Sequence, residues 1–280
     1  MTWIDPPGAA VREVVARALA EDLGPLGDLT ASLLPDGATA RAEFVARGEG
    51  VVAGRLCVLA TFAAVDPTVA VEWRLADGVE VRPGEVIGTV EGPLVSILTA
   101  ERTALNLLGR LSGIATLTRA YVREAQGNAR IRDTRKTTPG LRALEKAAVR
   151  AGGGANHRGS LSDGILIKDN HLAEMTITQA VVLARHRWPG QLVEVECETT
   201  IQVREAMDAG ADMVLLDNMT TEQVAAAAEI VARRCPIEVS GGVTLESVAA
   251  FAAAGADFIS VGALTHSAPA LDIGLDIEGN

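Results

Sequence analysis

Cysteine is scarce in this chain, and long apolar runs are missing. The 280 residues contain three cysteines, Cys57, Cys197 and Cys235, and no CxxC pair, so we expect no disulfide framework. No apolar run reaches the roughly 18 residues of a membrane-spanning segment. The opening MTWIDPPG lacks the basic and apolar stretches of a secretion signal. We therefore expect a cytoplasmic protein that does not enter a membrane.

Three common catalytic motifs are also missing. The chain has neither HExxH nor the cysteine–histidine spacing of a metal site, so we do not expect transition-metal chemistry. The nucleophile motif GxSxG is absent. The run Gly152–Gly154 is not a dinucleotide fingerprint, because the strand-glycine-helix order of that motif does not surround it.

Negative charge dominates the chain but is unevenly distributed. The formal net charge is −11, which disfavours nucleic acid as a partner. Residues 130–168 nevertheless contain nine lysines and arginines against three acids, a net +6, which leaves −17 for the remainder. A basic segment in an acidic protein can attract a small anion while the rest repels polyanions. Within this segment we interpret Arg142, Lys146 and Arg150 as a solvated helix face.

Residue patterns before residue 128 predict a mixed region. Residues 8–23 have the apolar spacing of an amphipathic helix. Residues 40–98 contain short alternating runs separated by turn signals, which is typical of antiparallel strands. Residues 99–125 predict one long helix, although Gly109 and Gly113 weaken the prediction that it is straight.

After residue 128 the pattern alternates between strands and helices. Six apolar segments predict strands at 129–131, 165–167, 192–195, 213–216, 237–239 and 258–261. Four stretches between them predict helices at 139–150, 200–209, 221–233 and 244–254. Such repetition predicts an α/β fold with a parallel sheet and helices outside it. Six strands rather than eight are visible, so we expect a short or irregular barrel.

Charged residues and glycines follow the C-terminal end of each predicted strand. They are Arg135-Lys136, Lys168, Glu196, Asp217, Ser240-Gly241-Gly242 and Gly262. In α/β barrels the C-terminal ends of the strands carry the active site, because the loops converge there. The sequence therefore predicts one shared polar pocket.

The residue types in this pocket predict the binding of anions. Arg135 and Lys136 combine a planar fork with a point charge, which suits a carboxylate and a phosphate. Ser240-Gly241-Gly242 presents backbone N–H groups just before the last predicted helix, and Gly262 follows the neighbouring strand. His157-Arg158 adds a further cationic group from the basic segment.

The carboxylates and Lys168 leave alternatives open. Glu196 and Asp217 can bind ribose hydroxyls or a hard cation such as Mg²⁺. Glu194 points to the same face of its strand as Glu196, so either could be the working carboxylate. Lys168 is either a functional cation or a structural partner of Asp169.

Seven segments of the chain together resemble those of a known protein family. They occur in the order ERTALNLLGRLSGIAT, RDTRKTTPGLRALEKAAVRAGGGANHR, DGILIKDNH, VEVE, LLDNM, SGG and VGALTHSAPALDIGLDI. Together they resemble the quinolinate phosphoribosyltransferase family, and the likeness runs from about residue 8 to the C terminus.

The resemblance implies a fold, an assembly and a reaction. The fold is an N-terminal α/β sandwich over residues 1–110, joined by residues 267–280, and an incomplete α/β barrel over residues 111–266 with about six parallel strands. The assembly is a homodimer with shared active sites. The reaction converts quinolinate and phosphoribosyl pyrophosphate into nicotinate mononucleotide, pyrophosphate and CO₂, with Mg²⁺, on the de novo route to NAD.

The resemblance also implies roles for individual residues. Arg102 of the ERT motif would reach quinolinate from the partner subunit. The residues implied to surround its two carboxylates are Arg135, His157, Arg158 and Lys168. Those implied to handle phosphoribosyl pyrophosphate and its Mg²⁺ are Lys136, Glu196 and Asp217, which with Lys168 form the expected catalytic set. The implied 5′-phosphate cradle consists of Ser240, Gly241, Gly242 and Gly262, with His266 nearby.

Three other functions stay open at this point. A paralogue of the family linked to molybdenum transport shares its fold, although the complete cation set, including Arg102 and His157-Arg158, argues against it. A barrel aldolase would use Lys168 to form a Schiff base. A non-catalytic phosphate-ester binding protein would explain Ser240-Gly241-Gly242 but not the surplus of cations.

Overall fold

The computed structural model describes residues 4–278, which form two compact units. The first unit contains residues 4–119, 137–153 and 263–278, and the second contains residues 120–136 and 154–262. The domain boundaries implied by the resemblance stay a prediction.

The described residues contain nine α-helices. In chain order, α1–α9 span Gly8–Leu23, Arg55–Val65, Leu94–Glu124, Arg142–Ala151, Ile177–Arg187, Thr200–Asp208, Thr221–Val231, Val248–Ala253 and Ala263–His266. No helix within residues 4–278 is long and apolar enough to cross a membrane.

The same residues contain twelve β-strands. In chain order, β1–β12 span Thr39–Ala46, Gly50–Val51, Ala70–Trp73, Glu80–Val81, Val86–Pro93, Arg130–Arg132, Ile165–Ile167, Val193–Cys197, Met213–Asp217, Ile237–Ser240, Phe258–Ser260 and Ile273–Ile277. The six strands predicted after residue 128 are confirmed as β6–β11, each to within two residues.

A four-stranded antiparallel sheet with the order β12-β1-β5-β3 forms the centre of the first unit. β1 pairs with β12 on one side and with β5 on the other. Phe44 on β1 is fully buried and packs edge-on against Phe62 of α2, with ring centroids 6.0 Å apart. Such aromatic pairs add about 0.5–1.5 kcal/mol beyond the area that they bury. The antiparallel strands predicted within residues 40–98 are confirmed, and the same range also contains α2 and the start of α3.

The long helix α3 is continuous through Gly109 and Gly113, and both glycines serve packing. The N–H of Leu271 donates to the carbonyl of Gly109 at 2.9 Å, so the C-terminal segment lies directly on the helix. A Cβ at Gly109 would lie 2.9 Å from the Leu271 carbonyl oxygen, and one at Gly113 would overlap the Pro269 carbonyl. The helix therefore accepts poor helix formers because a larger residue would displace this segment.

Helix α4 contradicts one interpretation of the basic segment. Lys146 is buried inside the first unit, so its assignment to a solvated face is wrong. Glu145 beside it is fully buried and accepts hydrogen bonds from Arg110 at 3.0 Å and from the Thr138 hydroxyl at 2.8 Å. Other parts of the protein cover α4 on more than one side. Its charged residues had instead predicted a face exposed to solvent.

Six parallel strands form the second unit in the order β6-β11-β10-β9-β8-β7. Ile131 lies opposite Ile259, and Val239 lies opposite Leu216. β6 and β7 are the two edges, so the barrel is incomplete. Ala155 pairs with Arg132 along the β6 edge. The predicted fold class, a small α/β sandwich with an open six-stranded α/β barrel, is confirmed.

The helices after β7, β8 and β9 begin with the same capping arrangement. A threonine hydroxyl accepts from the backbone N–H three residues later, and the glutamine at that position bonds back to the threonine N–H. The pairs are Thr176 with Gln179, Thr199 with Gln202, and Thr220 with Gln223. These caps fix the loops that follow the C-terminal ends of the three strands.

Replacing Gly113 by alanine should lower the free energy of unfolding by about 1–3 kcal/mol, because the new methyl group would push against the Pro269 carbonyl. Gly8→Ala is the matched control, since Gly8 is also helical but a Cβ there meets only the end of the Arg12 side chain at 3.4 Å. We expect the control to keep or slightly raise the stability. Urea unfolding measures both variants, and equal stabilities would contradict this packing role.

Candidate active site

A cavity of about 410 Å³ opens at the C-terminal ends of the barrel strands. Its walls are mainly charged and polar side chains, all from the second unit: Thr134, Arg135, Lys136, His157, Arg158, Leu166, Lys168, Glu196, Leu215, Asp217, Glu238, Ser240 and Ser260. The structure therefore brings most of the predicted pocket residues to one place.

The alternation of side chains along each strand explains why these residues meet. Residues two positions apart on a strand point to the same face, so each strand sends a pair of side chains into the barrel. On β7–β10 the later residue of the pair lies at the mouth and the earlier one is more deeply buried. Examples are Lys168 after Leu166, Asp217 after Leu215, and Ser240 after Glu238.

Four cations line the cavity: Arg135, Lys136, Arg158 and Lys168. Burial lowers the pKa of Arg158, and the nearby charge of Arg135 lowers it further. The charges of Glu194 and Asp163 act in the opposite direction, and a bound anion would stabilise the charged arginine further. The arrangement therefore favours a ligand with more than one negative charge.

Glu196 and Lys168 form an ion pair at the mouth. The Lys168 ammonium donates to Glu196 Oε2, and the Glu196 side chain is 11 % exposed. The structural partner of Lys168 is therefore Glu196, and the alternative in which it pairs with Asp169 is wrong. Asp217 on the neighbouring strand lines the same cavity and accepts from the side-chain amide of Asn218 at 2.7 Å.

Glu194 and Glu196 have different surroundings, which separates the two predicted alternatives. Glu194 is buried, and its Oε2 lies 3.1 Å from Nε2 of His157. Glu196 instead lines the cavity beside Lys168. Of the two carboxylates, Glu196 is therefore the one placed to meet a ligand at the mouth.

The loop after β10 depends on glycine. Gly241 has φ +93°, and a Cβ there would lie 2.7 Å from Cγ of Asn218 and 2.8 Å from its backbone nitrogen. Gly242 also has positive φ, +60°. The predicted helix start at Thr244 is wrong, because residues 244–247 form a turn and α8 begins at Val248. An anion here would meet the backbone N–H groups of the glycine loop rather than a helix end.

Five predicted residues do not line the cavity, and two of them, Gly241 and Gly242, lie in the loop after β10 described above. Gly262 follows β11 by two residues in the second unit. Arg102 on α3 and His266 on α9 belong to the first unit. Their roles, like those of every residue implied by the resemblance, stay predictions.

Several residues inside the barrel were missed by the sequence analysis. Glu238 and Ser260 line the cavity floor, and Arg132 donates to Glu238 at 2.6 Å. Asp133 is fully buried and accepts from the backbone N–H of His157 at 2.8 Å, which anchors the 156–157 peptide. The alternation of side chains along a strand could have identified Glu238. It stands two residues before Ser240 and must therefore share its face of the strand.

The cysteines do not provide a nucleophile. Burial raises the pKa of Cys57 and of Cys197 to about 12. Burial also raises the pKa of Cys235, whose Sγ lies 3.3 Å from Sδ of Met207. Because the thiolate is the reactive form, none of the three is activated for covalent catalysis.

Family models cover nearly the whole chain. Residues 28–112 match the N-terminal domain of quinolinate phosphoribosyl transferase, and residues 114–276 match its C-terminal domain.

Curated relatives and solved structures agree with these matches. The probable nicotinate-nucleotide pyrophosphorylase [carboxylating] of Bacillus subtilis is 47 % identical over 92 % of this chain and 90 % of its own length. The corresponding protein of Mycobacterium leprae is 43 % identical over 96 % and 97 %. The structure of the nicotinate-nucleotide pyrophosphorylase from Francisella tularensis matches with a TM-score of 0.93 and 37 % identity, covering 98 % of both chains. The chain therefore belongs to the quinolinate phosphoribosyltransferase family.

Proposed function

We propose that this protein is a quinolinate phosphoribosyltransferase. It converts quinolinate and phosphoribosyl pyrophosphate into nicotinate mononucleotide, pyrophosphate and CO₂ in de novo NAD biosynthesis. The observation that carries the proposal is the cavity at the strand ends, where four cations meet the carboxylates Glu196 and Asp217 in a protein of this family.

Quinolinate binding would use the cations at the mouth. The molecule has two adjacent carboxylates, so its site must supply several fixed positive charges. A hydrogen bond to a charged group contributes roughly 1.5–3 kcal/mol, and several are needed to offset the cost of removing a dianion from water. Arg135 and Arg158 supply planar forks and Lys168 a point charge, and Arg102 of a second subunit is proposed to complete the site.

Phosphoribosyl pyrophosphate would bind on the other side of the mouth. Its 5′-phosphate would meet the loop Ser240-Gly241-Gly242, whose glycines turn backbone N–H groups toward an anion. Gly262 is proposed to complete this cradle, and His266 is proposed as a further substrate-binding residue. Lys136 would neutralise the pyrophosphate, and Glu196 and Asp217 would accept from the ribose hydroxyls.

The chemistry needs positioning and charge rather than a covalent nucleophile. As pyrophosphate leaves, negative charge builds on it and positive charge builds on the anomeric carbon. Lys136 stabilises the first and the carboxylates of Glu196 and Asp217 favour the second. Once the ring nitrogen is ribosylated, its positive charge stabilises the electron pair that departing CO₂ leaves on the adjacent ring carbon, and a proton from water then forms the C–H bond there. The protein accelerates the reaction by holding both reactants in line.

Mg²⁺ belongs to this proposal. Glu196 and Asp217 fit it, because both present carboxylate oxygens at the cavity and Mg²⁺ prefers a few such ligands together with substrate phosphates. When bound, the ion would neutralise charge on the pyrophosphate. We also propose a cytoplasmic homodimer with shared sites.

The structure and the comparisons weigh against the other functions. A Schiff-base lysine must react as the neutral amine, whereas Lys168 is bound to Glu196. The relatives that match over nine-tenths of the chain carry pyrophosphorylase names, which disfavours both the transport paralogue and a non-catalytic phosphate-binding protein.

The proposed reaction predicts that the purified protein forms nicotinate mononucleotide from quinolinate and phosphoribosyl pyrophosphate, and that chelation of Mg²⁺ stops product formation. Chromatography of the product measures both. Absence of the product under conditions in which a known member of the family is active would remove the proposal. A borohydride-trapped adduct on Lys168 would instead support the aldolase.

Replacing Arg135 by alanine should cost roughly 2–4 kcal/mol of transition-state stabilisation, which lowers kcat/KM by tens of times to about a thousandfold. The cause is the loss of a charge-assisted fork for a carboxylate. Arg204→Ala is the control, since Arg204 is exposed on α6 outside the cavity. Steady-state kinetics measure both variants. Unchanged kinetics in Arg135→Ala would exclude this residue from the site.

Mixing two inactive variants tests the proposed shared site. Arg102→Ala removes the residue supplied across the interface, and Lys136→Ala removes one supplied within the subunit. If sites are shared, mixed dimers contain some sites with both residues, so the mixture should regain part of the activity. Mass spectrometry confirms that subunits have exchanged. A mixture that exchanges but stays inactive would contradict the sharing.

A further inference from the structure

Below the cavity mouth lies a group of polar and charged residues. It includes two carboxylates that the proposed reaction does not use. We call Arg132, His157, Glu194, Glu238 and Ser260 the inner cluster. His157, Glu238 and Ser260 form part of the cavity wall. Arg132, His157 and Glu194 line a second cavity of about 450 Å³ toward the starts of the strands. Layers at this depth of a barrel are usually apolar, so the cluster needs a physical explanation.

Glu238 connects three neighbouring strands of the barrel. Its Oε2 accepts from Arg132 of β6 at 2.6 Å, and its Oε1 accepts from the hydroxyl of Ser260 on β11 at 2.5 Å. The same Oε1 lies 3.4 Å from Nε2 of His157. The Arg132 guanidinium also lies 3.5 Å from the ring centroid of Phe258. The carboxylate is therefore held in one orientation.

The contacts of His157 define which ring nitrogen carries the proton. Nδ1 accepts from the backbone N–H of Arg158 at 2.8 Å, so Nδ1 itself has no proton. Nε2 faces Glu194 Oε2 at 3.1 Å and Glu238 Oε1 at 3.4 Å, which are both acceptors. The ring proton therefore lies on Nε2, and both nitrogens are engaged by the protein.

A metal ion is the obvious alternative occupant of this cluster. One ligand atom from each of His157, Glu194 and Glu238 lies within 4.8 Å of the others. A metal would need the lone pair of Nε2, and Nδ1 would then carry the proton and require an acceptor. The Arg158 N–H points a donor at Nδ1 instead, and Arg132 already neutralises Glu238. The contacts favour a hydrogen-bonded cluster.

Keeping two carboxylates at this depth is costly for stability. Burial raises the pKa of Glu238, and the charge of Glu194 raises it further. Glu194 Oε1 is buried without a hydrogen-bond partner among residues 4–278. Well-packed apolar residues often stabilise a core as well as such ion pairs do, or better. The cluster is therefore better explained by what it holds in place than by core stability.

The backbone of Arg158 is what the cluster holds. Asp133 accepts from the N–H of His157, and His157 Nδ1 accepts from the N–H of Arg158, so consecutive peptides of this segment are fixed from inside the barrel. Arg158 lines both cavities, and its guanidinium donates to the carbonyl of Gly164 at 3.2 Å. A shift of the imidazole would therefore move the arginine.

We propose that Glu194 and Glu238 are positioning residues that hold His157 through its Nε2–H and thereby aim Arg158 at a carboxylate of the substrate. This inference rests on the proposed function for the identity of that substrate. In this arrangement His157 acts through Arg158 rather than by donating a hydrogen bond to the substrate itself.

The first test compares two replacements of Glu194. Glu194→Leu removes the acceptor, and we expect KM for quinolinate to rise about tenfold while KM for phosphoribosyl pyrophosphate changes by less than about twofold. Glu194→Gln keeps an acceptor oxygen for Nε2–H, and we expect KM for quinolinate to stay within about threefold of the original. An unchanged KM for quinolinate in Glu194→Leu, or equal losses in both variants, would overturn the proposal.

A control separates positioning from a general loss of stability. Asp77→Asn alters a carboxylate of the first unit that accepts from the backbone N–H groups of Gly54 and Arg55 at 3.0 and 3.2 Å. We expect it to lower the Tm without a selective change in either KM. A selective rise of KM for quinolinate in this variant as well would show that the Glu194 effect is not specific.

The second test reads the proton on His157 directly and does not require activity. Long-range ¹H–¹⁵N correlation spectra of the full chain, which has four histidines, report the tautomer of each ring; His157→Gln assigns the signal. We expect the Nε2–H form in the original protein and in Glu194→Gln, unchanged by EDTA. A proton on Nδ1, or a spectrum that changes on chelation, would overturn the proposal in favour of a metal site. If quinolinate is not turned over but the Nε2–H form is seen, the proposed function fails while the cluster geometry stands.

Discussion

Short parallel strands impose the constraint on which the second unit depends: every other side chain must enter a small barrel interior. β6–β11 contain only three to five residues each, so a strand offers one or two inward positions before it ends. The chain places charged residues at several of these positions, and each charge needs a partner within reach. Lys168 meets Glu196 across neighbouring strands, and Arg132 meets Glu238. Packing the barrel and assembling the site are therefore one process.

The mouth and the depth of the barrel meet this constraint in different ways. In the depth, Arg132, Ser260 and His157 surround Glu238, so the protein itself supplies the partners. At the mouth, burial and then the like charge of Arg135 lower the pKa of Arg158, and a bound anion would favour its charged form. The side chains inside the barrel are thus held in place by the protein, and the affinity for anions arises from the residues at the cavity mouth.

The sequence predicted those features that depend on local pattern and missed those that depend on partners from other strands. Strand positions followed from short apolar runs, and Asp217 was identified because it ends such a run. Glu238 also lies inside an apolar run, but its importance comes from Arg132 and Ser260, which are distant in the chain. Lys146 had the spacing of a surface helix, yet it is buried by elements that a helical pattern does not reveal. The roles of residues implied to act across an interface cannot be derived from one chain's periodicity.

The first unit also contains a buried charge that needs partners, and these contacts hold two loops. Glu145 accepts from Arg110 and from both the N–H and the hydroxyl of Thr138, two residues after Lys136. Arg110 also donates to the carbonyl of the residue that precedes His266. One pair therefore holds two segments of the first unit, at Thr138 and at the residue before His266. Because an isolated buried carboxylate would be strongly destabilising, neither loop can move far without exposing or unpairing Glu145. The scaffold thus restricts these loops by the cost of breaking a buried charge pair rather than by apolar packing alone.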